Sequence, residues 1–311
     1  MRRKVWLGFG LFCFLAGSRW LLEQAVPAPV TSLVREAMHH GLLVLIFAAW
    51  AVQRREGWAG KSLMDWLEIA GAAALVFVLP DLLINGAAGA VTSLSETLVF
   101  LLVPVVVVFV VAQQASGFGV DDGARGLLGP ALAGLAGAGL MIPFTMPPSV
   151  AGKVWLGALV AGAVLAGIAT VRVHALLRGT GIMAATAVVS GVIAVLSGVA
   201  ASSDWRGLAQ MDGRGLLVEA AIAVFVDGPL LVLAVWLLRE MPPVGFVVRY
   251  FLVLLITIVE SFIVLHPSVS WYTALGAVLM AAAVWLLLRG AAGLASKADS
   301  EGSPVKLRGA D

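Results

Sequence analysis

Ten long apolar stretches, separated by short polar segments, dominate the pattern of hydrophobic and polar positions along the 311-residue chain. A bilayer core of about 30 Å requires about 20 apolar residues per helix, and each stretch is close to that length. The pattern therefore predicts an all-α polytopic membrane protein. Its ten predicted transmembrane helices span 5–24, 33–53, 66–86, 92–112, 127–144, 153–174, 180–201, 215–238, 243–265 and 271–289.

The composition agrees with a membrane protein and removes several other classes. The chain is 61% hydrophobic and 12% charged, with a mean hydropathy of +1.02, which excludes a soluble or disordered protein. The net charge of +2 is too small for a nucleic-acid-binding surface. Cys13 is the single cysteine, so an intramolecular disulfide and a cysteine-rich metal site are excluded. The sequence has no nucleotide-binding P-loop motif, and no cofactor is predicted.

The distribution of Lys and Arg predicts the orientation in the membrane. With the N-terminus inside, fifteen of these residues fall on the cytoplasmic face, among them Arg172, Arg239 and Arg249, and three fall outside. This positive-inside bias, with ten helices, predicts that both termini are cytoplasmic and that the protein resides in the cell inner membrane. The polar tail 290–311 is predicted to be disordered.

A cleaved signal peptide is the alternative for the first apolar stretch. Basic residues precede this stretch, and 16–18 (Ala-Gly-Ser) fits a cleavage site. Nine helices would then place the basic residues of the tail outside, so a retained helix agrees better with the charge distribution.

The ten helices divide into two sets of five, 1–144 and 145–289. Because each set has an odd number of helices, the second set lies inverted relative to the first, as in many secondary transporters. Residues 76–83 are also similar to residues 224–231, and each segment carries an acid close to a proline. Chance similarity is the alternative, because proline and glycine are common in membrane helices.

Ionisable residues within the apolar stretches indicate where a binding site lies. A charge at the middle of a bilayer costs about 2.5 to 3.5 kcal/mol on insertion scales, so each such group requires a partner, water or a function. These groups are concentrated in predicted helices 1–4, 8 and 9, which predicts a polar cavity. The candidate residues for binding substrate or protons are Ser18, Arg19, Trp20, Arg35, His39, Asp81, Asn85, Glu96, Asp227 and Glu260.

The four acids of this set are the best candidates for a cation or proton site. A desolvated carboxylate can load and release a proton as its access to water changes. Hydration at the membrane interface is the alternative for Asp81 and Glu96, which lie near the ends of their predicted helices. Arg19 and Glu23 are four residues apart, so a structural ion pair is the alternative for Arg19.

Residues without charge also shape the predicted helices. Pro80, Pro104 and Pro229 interrupt hydrogen-bonded turns and are predicted to bend their helices near the site, although membrane helices also tolerate proline without a function. Small residues such as Ala133 and Gly137 are predicted to allow close packing of helices.

A metal site is a further possibility that the sequence argues against. Glu36 and His39 have the Glu-x-x-His spacing that binds metals in some helical bundles. Metal binding requires three or four convergent ligands, and the chain has one such motif, so no metal is predicted. A histidine can instead relay protons.

Several short motifs, each weak alone, occur in a recognisable order. They are Gly17-Ser18, Arg35 after Pro29, Thr92-Ser93 followed by Pro104, and the small-residue runs 126–134 and 274–279. In this order and spacing the chain resembles the drug/metabolite transporter superfamily, of the EamA type, over nearly its whole length. The sequence departs from the family in lacking a proline in predicted helix 9 and in having Gln113-Gln114 where the family has an acid. These departures leave the subfamily and the substrate open.

The resemblance implies a fold and an activity. In that family helices 1–4 and 6–9 surround a central cavity, helices 5 and 10 lie at the periphery, and the activity is transport of small molecules, mostly export. The chain is therefore predicted to be a secondary transporter that moves small metabolites, amino acids or amphipathic compounds by alternating access. Proton coupling and uniport are both left open.

Two other classes of function compete with a transporter. A membrane-embedded enzyme or lipid-handling protein requires Glu36, His39 and Asp81 to converge. A membrane scaffold requires closely packed helices without a central cavity. The expected partners are a small-molecule substrate and the lipid bilayer, with no nucleic acid, and a homo-oligomer is left open.

Overall fold

Helices account for 86% of the computed structural model, and the part of the chain that it describes contains no strand. The described residues are 3–26, 30–56, 61–116, 124–266 and 270–300. Long apolar stretches favour helices in a bilayer because a helix satisfies the hydrogen bonds of its own backbone.

The helical segments of the described residues are grouped here under ten labels, and four of these labels cover interrupted helices. The continuous helices are α1 (Arg3–Ala25), α2 (Ser32–Gln53), α5 (Leu128–Met141), α6 (Val150–Leu177), α7 (Ile182–Ala200) and α10 (Trp271–Ser300). The interrupted helices are α3 (Leu63–Ala73, Ala74–Val78, Leu79–Ala87), α4 (Ser93–Phe100, Val103–Ser116), α8 (Gly213–Ile222, Ala223–Asp227, Gly228–Glu240) and α9 (Pro243–Val247, Arg249–Leu265).

Within the described residues, nine helices, all except α5, are long and apolar enough to cross a membrane. The predicted all-α, multi-pass membrane architecture is therefore confirmed. Helix α5 has 14 residues, about 21 Å at 1.5 Å per residue, and is shorter than the predicted 127–144. It ends early because Pro143 disfavours a helical conformation at Ile142.

The last helix extends beyond its predicted end at residue 289. Helix α10 continues to Ser300, so residues 290–300 are helical and not disordered as predicted. The segment is rich in alanine, the residue with the highest helix propensity, which explains the extension. Residues 301–311 lie outside the described part of the chain.

Two helices contain a π turn immediately before a proline. In α3 the turn Ala74–Val78 precedes Pro80, and in α8 the turn Ala223–Asp227 precedes Pro229. A proline has no backbone N–H and its ring clashes with the carbonyl four residues earlier. The wider π turn accommodates this defect by inserting one residue into the helix.

Helix packing sets apart a central group from a peripheral pair. Helix α2 packs on α7 and α8, α1 packs on α8 and α9, and α6 packs on α3 and α4. Helices α5 and α10 pack closely on each other, and a Cβ atom built at Gly276 would lie 2.4 Å from the carbonyl oxygen of Gly137. Only glycine allows the two backbones to approach this closely.

Polar side chains join several helices at one end of the bundle. Glu56, after α2, accepts hydrogen bonds from the backbone N–H groups of Met183 and Ala184 in the first turn of α7. Arg239, at the end of α8, donates to the backbone carbonyl of Thr180 at 2.8 Å. These contacts join the ends of α2 and α8 to the start of α7 at one end of the bundle. The charge distribution predicts that this end is cytoplasmic.

Candidate functional site

A cavity of about 260 Å³ lies among α1, α2, α3, α7, α8 and α9. Apolar side chains such as Phe12, Phe77 and Leu231 form part of its wall. Its ionisable lining residues are Arg19, Glu36, His40, Asp81, Asp227 and Arg249. A cavity with this many ionisable groups inside apolar helices is suited to binding a polar or charged molecule.

His39 on α2 connects two acids of α8. Its Nδ1 atom lies 2.6 Å from Oδ2 of Asp227, and its Nε2 atom lies 2.8 Å from Oε2 of Glu219. All three side chains are buried. Carboxylates only accept hydrogen bonds, and a neutral imidazole has one N–H, so both contacts require a second proton on the ring or one on a carboxyl group. The three residues therefore form a buried Glu–His–Asp group that joins α2 to α8.

Two arginines extend this group into a longer ion network. The Nη2 atom of Arg35 donates to Oε1 of Glu219 at 2.7 Å and to the backbone carbonyl of Val26, near the end of α1, at 3.0 Å. The Nη2 atom of Arg19 lies 3.8 Å from Oδ1 of Asp227. The network thus joins α1, α2 and α8.

The π turn of α8 places both acids beside His39. Glu219 and Asp227 are eight residues apart, which in a regular α-helix would turn their side chains about 80° away from each other. The π turn Ala223–Asp227 lies between them and accommodates one additional residue, which reduces the difference to about 20°. The sequence prediction did not include Glu219, although this acid lies inside the predicted helix 215–238 and that position was a signal for it.

Asp81 and Asn85 have different surroundings although both were predicted to face the cavity. Asp81 lines the cavity one residue after Pro80. Asn85 donates to the backbone carbonyl of Asp81 at 2.8 Å and accepts from the hydroxyl of Ser32 at 3.1 Å. Asn85 therefore connects α3 to the start of α2.

A second polar cluster joins α1 to α9. Glu260 accepts hydrogen bonds from the hydroxyl of Ser18 at 2.5 Å and from Nε1 of Trp20 at 3.1 Å. These three predicted residues come together, but they are not among the residues that line the described cavity. The side chain of Glu23, the predicted partner of Arg19, lies outside the described part of the structure.

Glu96 lies apart from the cavity lining. It is buried in the first turn of α4, where Thr92 caps the helix. Neither the polar cavity nor the apolar chamber described below includes Glu96 in its lining.

Arg249 lines the cavity although it was not among the predicted site residues. The charge distribution assigned it to the cytoplasmic face, and it lies in the first turn of the second segment of α9. Its guanidinium lies 4.1 Å from the ring centroid of Phe246, 5.0 Å from that of Tyr250 and 5.7 Å from that of Phe12. The signal in the sequence was its position six residues inside a predicted helix, which makes it an ionisable group within an apolar stretch.

A larger apolar chamber of about 510 Å³ adjoins the polar cavity. The two share Phe12, Ala16 and Arg249 in their walls. The chamber lies between α1, α3, α4 and α9, and Pro80 forms part of its wall. The charged cavity and the apolar chamber are therefore adjacent and share part of one wall.

A metal site and an enzyme active site would each require particular side chains to lie close together. Within the described residues, no group of three or more His, Cys, Asp or Glu side chains could hold a metal ion. Both ring nitrogens of His39 contact Glu219 and Asp227, so neither is available to Glu36 or Asp81. Glu36 and Asp81 line the same cavity, whereas the His39 ring contacts the two acids of α8.

Comparisons with known proteins give information about the fold and none about the function. No family model matches the chain, and no curated protein matches it. A crystal structure of a protein is similar to this chain with a TM-score of 0.66 and 17% identity, covering 94% of this chain and 100% of that one. At this identity the similarity shows the fold alone.

Proposed function

We propose that this protein is a secondary transporter that moves small amphipathic molecules across the cell inner membrane by alternating access. The observation that carries the proposal is the cavity lined by charged residues and enclosed by helices that have the length and hydropathy to cross a membrane. A scaffold requires no such cavity. Export is the direction implied by the resemblance to the drug/metabolite transporters.

The π turns of α3 and α8 support the proposal that the chain contains two inverted repeats of five helices. The π turns begin at Ala74 and Ala223, and 223 − 74 = 149, while the prolines that follow are Pro80 and Pro229, and 229 − 80 = 149. The same defect at the same separation in α3 and α8 is expected of a repeat and is improbable for unrelated helices.

Helix packing supports the same two-fold relation. If helices 1 to 5 correspond to helices 6 to 10, the contact of α1 with α9 corresponds to that of α6 with α4, and both occur. The contact of α1 with α8 likewise corresponds to that of α6 with α3, and both occur. Helices α5 and α10 pack on each other outside the cavity, so α5 completes a ten-helix bundle despite its short length.

The ion network is suited to closing the cavity on one side. Arg35 ties α2 to α8 through Glu219 and to α1 through the carbonyl of Val26. Between this network and the end of α1 remains a void of only about 10 Å³, lined in part by Leu22 and Ile222. In the predicted orientation this is the outer side, and opening it requires the network to break.

Breaking the network provides a route for proton coupling. Separation of α2 from α8 breaks both contacts of His39 and exposes its ring and the two carboxylates. These groups can then exchange a proton with whichever side has become accessible to water. Substrate binding that favours one arrangement would in this way drive proton movement.

The test is a flux assay in proteoliposomes with an imposed pH gradient, using amino acids and organic cations as substrates while internal pH is recorded. Wild-type protein should show substrate-dependent proton movement, and Asp227→Asn should abolish it while the purified protein stays monodisperse. Asp204→Asn, at an exposed acid between α7 and α8, is the matched control and should behave as wild type. Full, pH-independent transport by Asp227→Asn would remove the coupling proposal, and folded protein without any flux would count against a carrier.

A further inference from the structure

Arg249 differs from the other arginines of the cavity in its surroundings. Arg19 and Arg35 each have a carboxylate partner on α8. Arg249 makes no ion pair with any carboxylate in the part of the chain that the structure describes, and its one hydrogen bond is to the Tyr250 hydroxyl at 3.5 Å. A permanently charged group within a membrane-spanning helix is costly to keep without an anion.

The aromatic neighbours of Arg249 hold its guanidinium and use only the one N–H that contacts the Tyr250 hydroxyl. The faces of Phe12, Phe246 and Tyr250 provide cation–π contacts. A guanidinium has five N–H donors in its plane, and stacking leaves that edge free. A carboxylate is the anion that matches two parallel N–H groups of arginine.

The position of Arg249 defines where the rest of a bound molecule lies. It stands at the wall shared by the polar cavity and the apolar chamber. An anion bound to it places its attached group in the chamber, against Ile84, Phe100 and Leu254. Three carboxyl groups, those of Glu36, Asp81 and Asp227, line the polar side and disfavour a doubly charged anion such as a phosphate monoester.

We infer that Arg249 anchors the carboxylate of the transported molecule, and that this molecule is a monocarboxylic acid with an apolar body. The inference rests on the proposed function and names its substrate class. An α-ammonium group is compatible with the acids of the cavity, so apolar amino acids and simple carboxylic acids share the required chemistry. The test distinguishes these two sources.

The experiment measures binding to the purified full-length protein in detergent by isothermal titration calorimetry. The probes share one branched apolar body: leucine, 4-methylpentanoate without the amino group, and 3-methylbutylamine without the carboxylate. The variants are Arg249→Gln and Arg249→Lys. Arg289→Gln is the matched control, because Arg289 also lies over an aromatic ring, that of Trp285 at 5.3 Å, but lines neither cavity.

Wild-type protein and Arg289→Gln should bind leucine, 4-methylpentanoate or both, and Arg249→Gln should weaken that binding at least tenfold. Arg249→Lys should restore part of it, because a lysine retains the charge without the paired donors. Tight binding of leucine alone identifies an amino acid, and equal binding of the two acids identifies a carboxylic acid. Unchanged binding of the acids by Arg249→Gln, or no binding of either acid by wild type at millimolar concentration, would overturn the inference.

Two further measurements separate anion binding by Arg249 from a purely structural role. Arg249→Gln should raise the unfolding temperature of the ligand-free protein, because it removes a charge without an anionic partner, whereas a structural role of the aromatic contacts predicts a decrease. Counterflow in proteoliposomes tests the carrier separately. Acid binding that depends on Arg249 without any flux contradicts the proposed function alone, and flux of the amine that Arg249→Gln leaves intact contradicts the inference alone.

Discussion

The residues that matter most form a chain of alternating basic and acidic side chains from Arg35 through Glu219, His39 and Asp227 to Arg19. In a bilayer such groups have no water to return to, so each depends on its neighbours. The intact network therefore stabilises the contact of α2 with α1 and α8. Removing one member leaves the others buried without a partner, which is unfavourable. The stability of the closed side should therefore respond sharply to the loss of one member.

Glu219→Gln is expected to destabilise the protein by about 3–5 kcal/mol, the usual cost of removing one partner from a buried charge pair. The amide leaves Arg35 without its counter-charge and cannot stabilise a cationic His39. Glu68→Gln is the control, because Glu68 pairs with Arg172 in an exposed position, where a pair contributes about 1 kcal/mol or less. Thermal unfolding of both variants in detergent measures the difference, and equal shifts would show that the network contributes no more than a surface pair.

The sequence predicted most members of the network and missed two features for physical reasons. Arg19, Arg35, His39 and Asp227 stood out because charges are rare in apolar stretches, and this holds without knowledge of the fold. Glu219 also lies in an apolar stretch but was not chosen, and its facing depends on a π turn, a local insertion that hydropathy does not record. Arg249 was counted only for the orientation of the chain, and that count carries no information about which side chains line a cavity.

At the scale of the element, the π turns determine which side chains share a face. The turn Ala223–Asp227 inserts one residue into α8 and brings Glu219 and Asp227 to the same side. Phe225, in the middle of this turn, is 78% exposed, so its side chain contributes little to packing inside the protein. The turn can therefore be removed with little loss of contacts.

Deletion of Phe225 is expected to convert the π turn to regular α-helix and to rotate Glu219 about 100° away from His39. Adding Glu219→Gln to the deletion should then cost nothing more, although the same substitution is costly in the wild type. A double-mutant cycle from unfolding temperatures measures this coupling. Deletion of Ser203, between α7 and α8, is the control and should leave the effect of Glu219→Gln unchanged. Additive effects with the Phe225 deletion would contradict the proposed role of the turn.

At the scale of the whole molecule, the corresponding packing of the two halves gives the strongest argument for a repeat. The multi-pass, all-α architecture predicted from the apolar stretches is confirmed. It was predictable because the thickness of a bilayer sets the length of an apolar helix that crosses it. Finer features were beyond that signal: Pro143 shortens α5, and an alanine-rich segment extends α10 to Ser300. The sequence already indicated a similarity of 76–83 to 224–231, and the structure adds a π turn at the same separation from the following proline in α3 and in α8.

If the two halves are inverted copies that rock against each other, Pro80 and Pro229 have equivalent roles. Pro80→Ala and Pro229→Ala each restore a backbone N–H and remove a ring clash, which favours a straight helix over a bent one. Each substitution should slow counterflow on the order of tenfold, equivalent to about 1.4 kcal/mol in the barrier, while ligand binding changes little. Pro130→Ala is the control, because Pro130 lies in the peripheral helix α5 and should leave the rate unchanged. Equivalent repeats should bend in the same way. If only one of the two substitutions, Pro80→Ala or Pro229→Ala, slowed counterflow strongly, the two halves would not move as equivalent repeats.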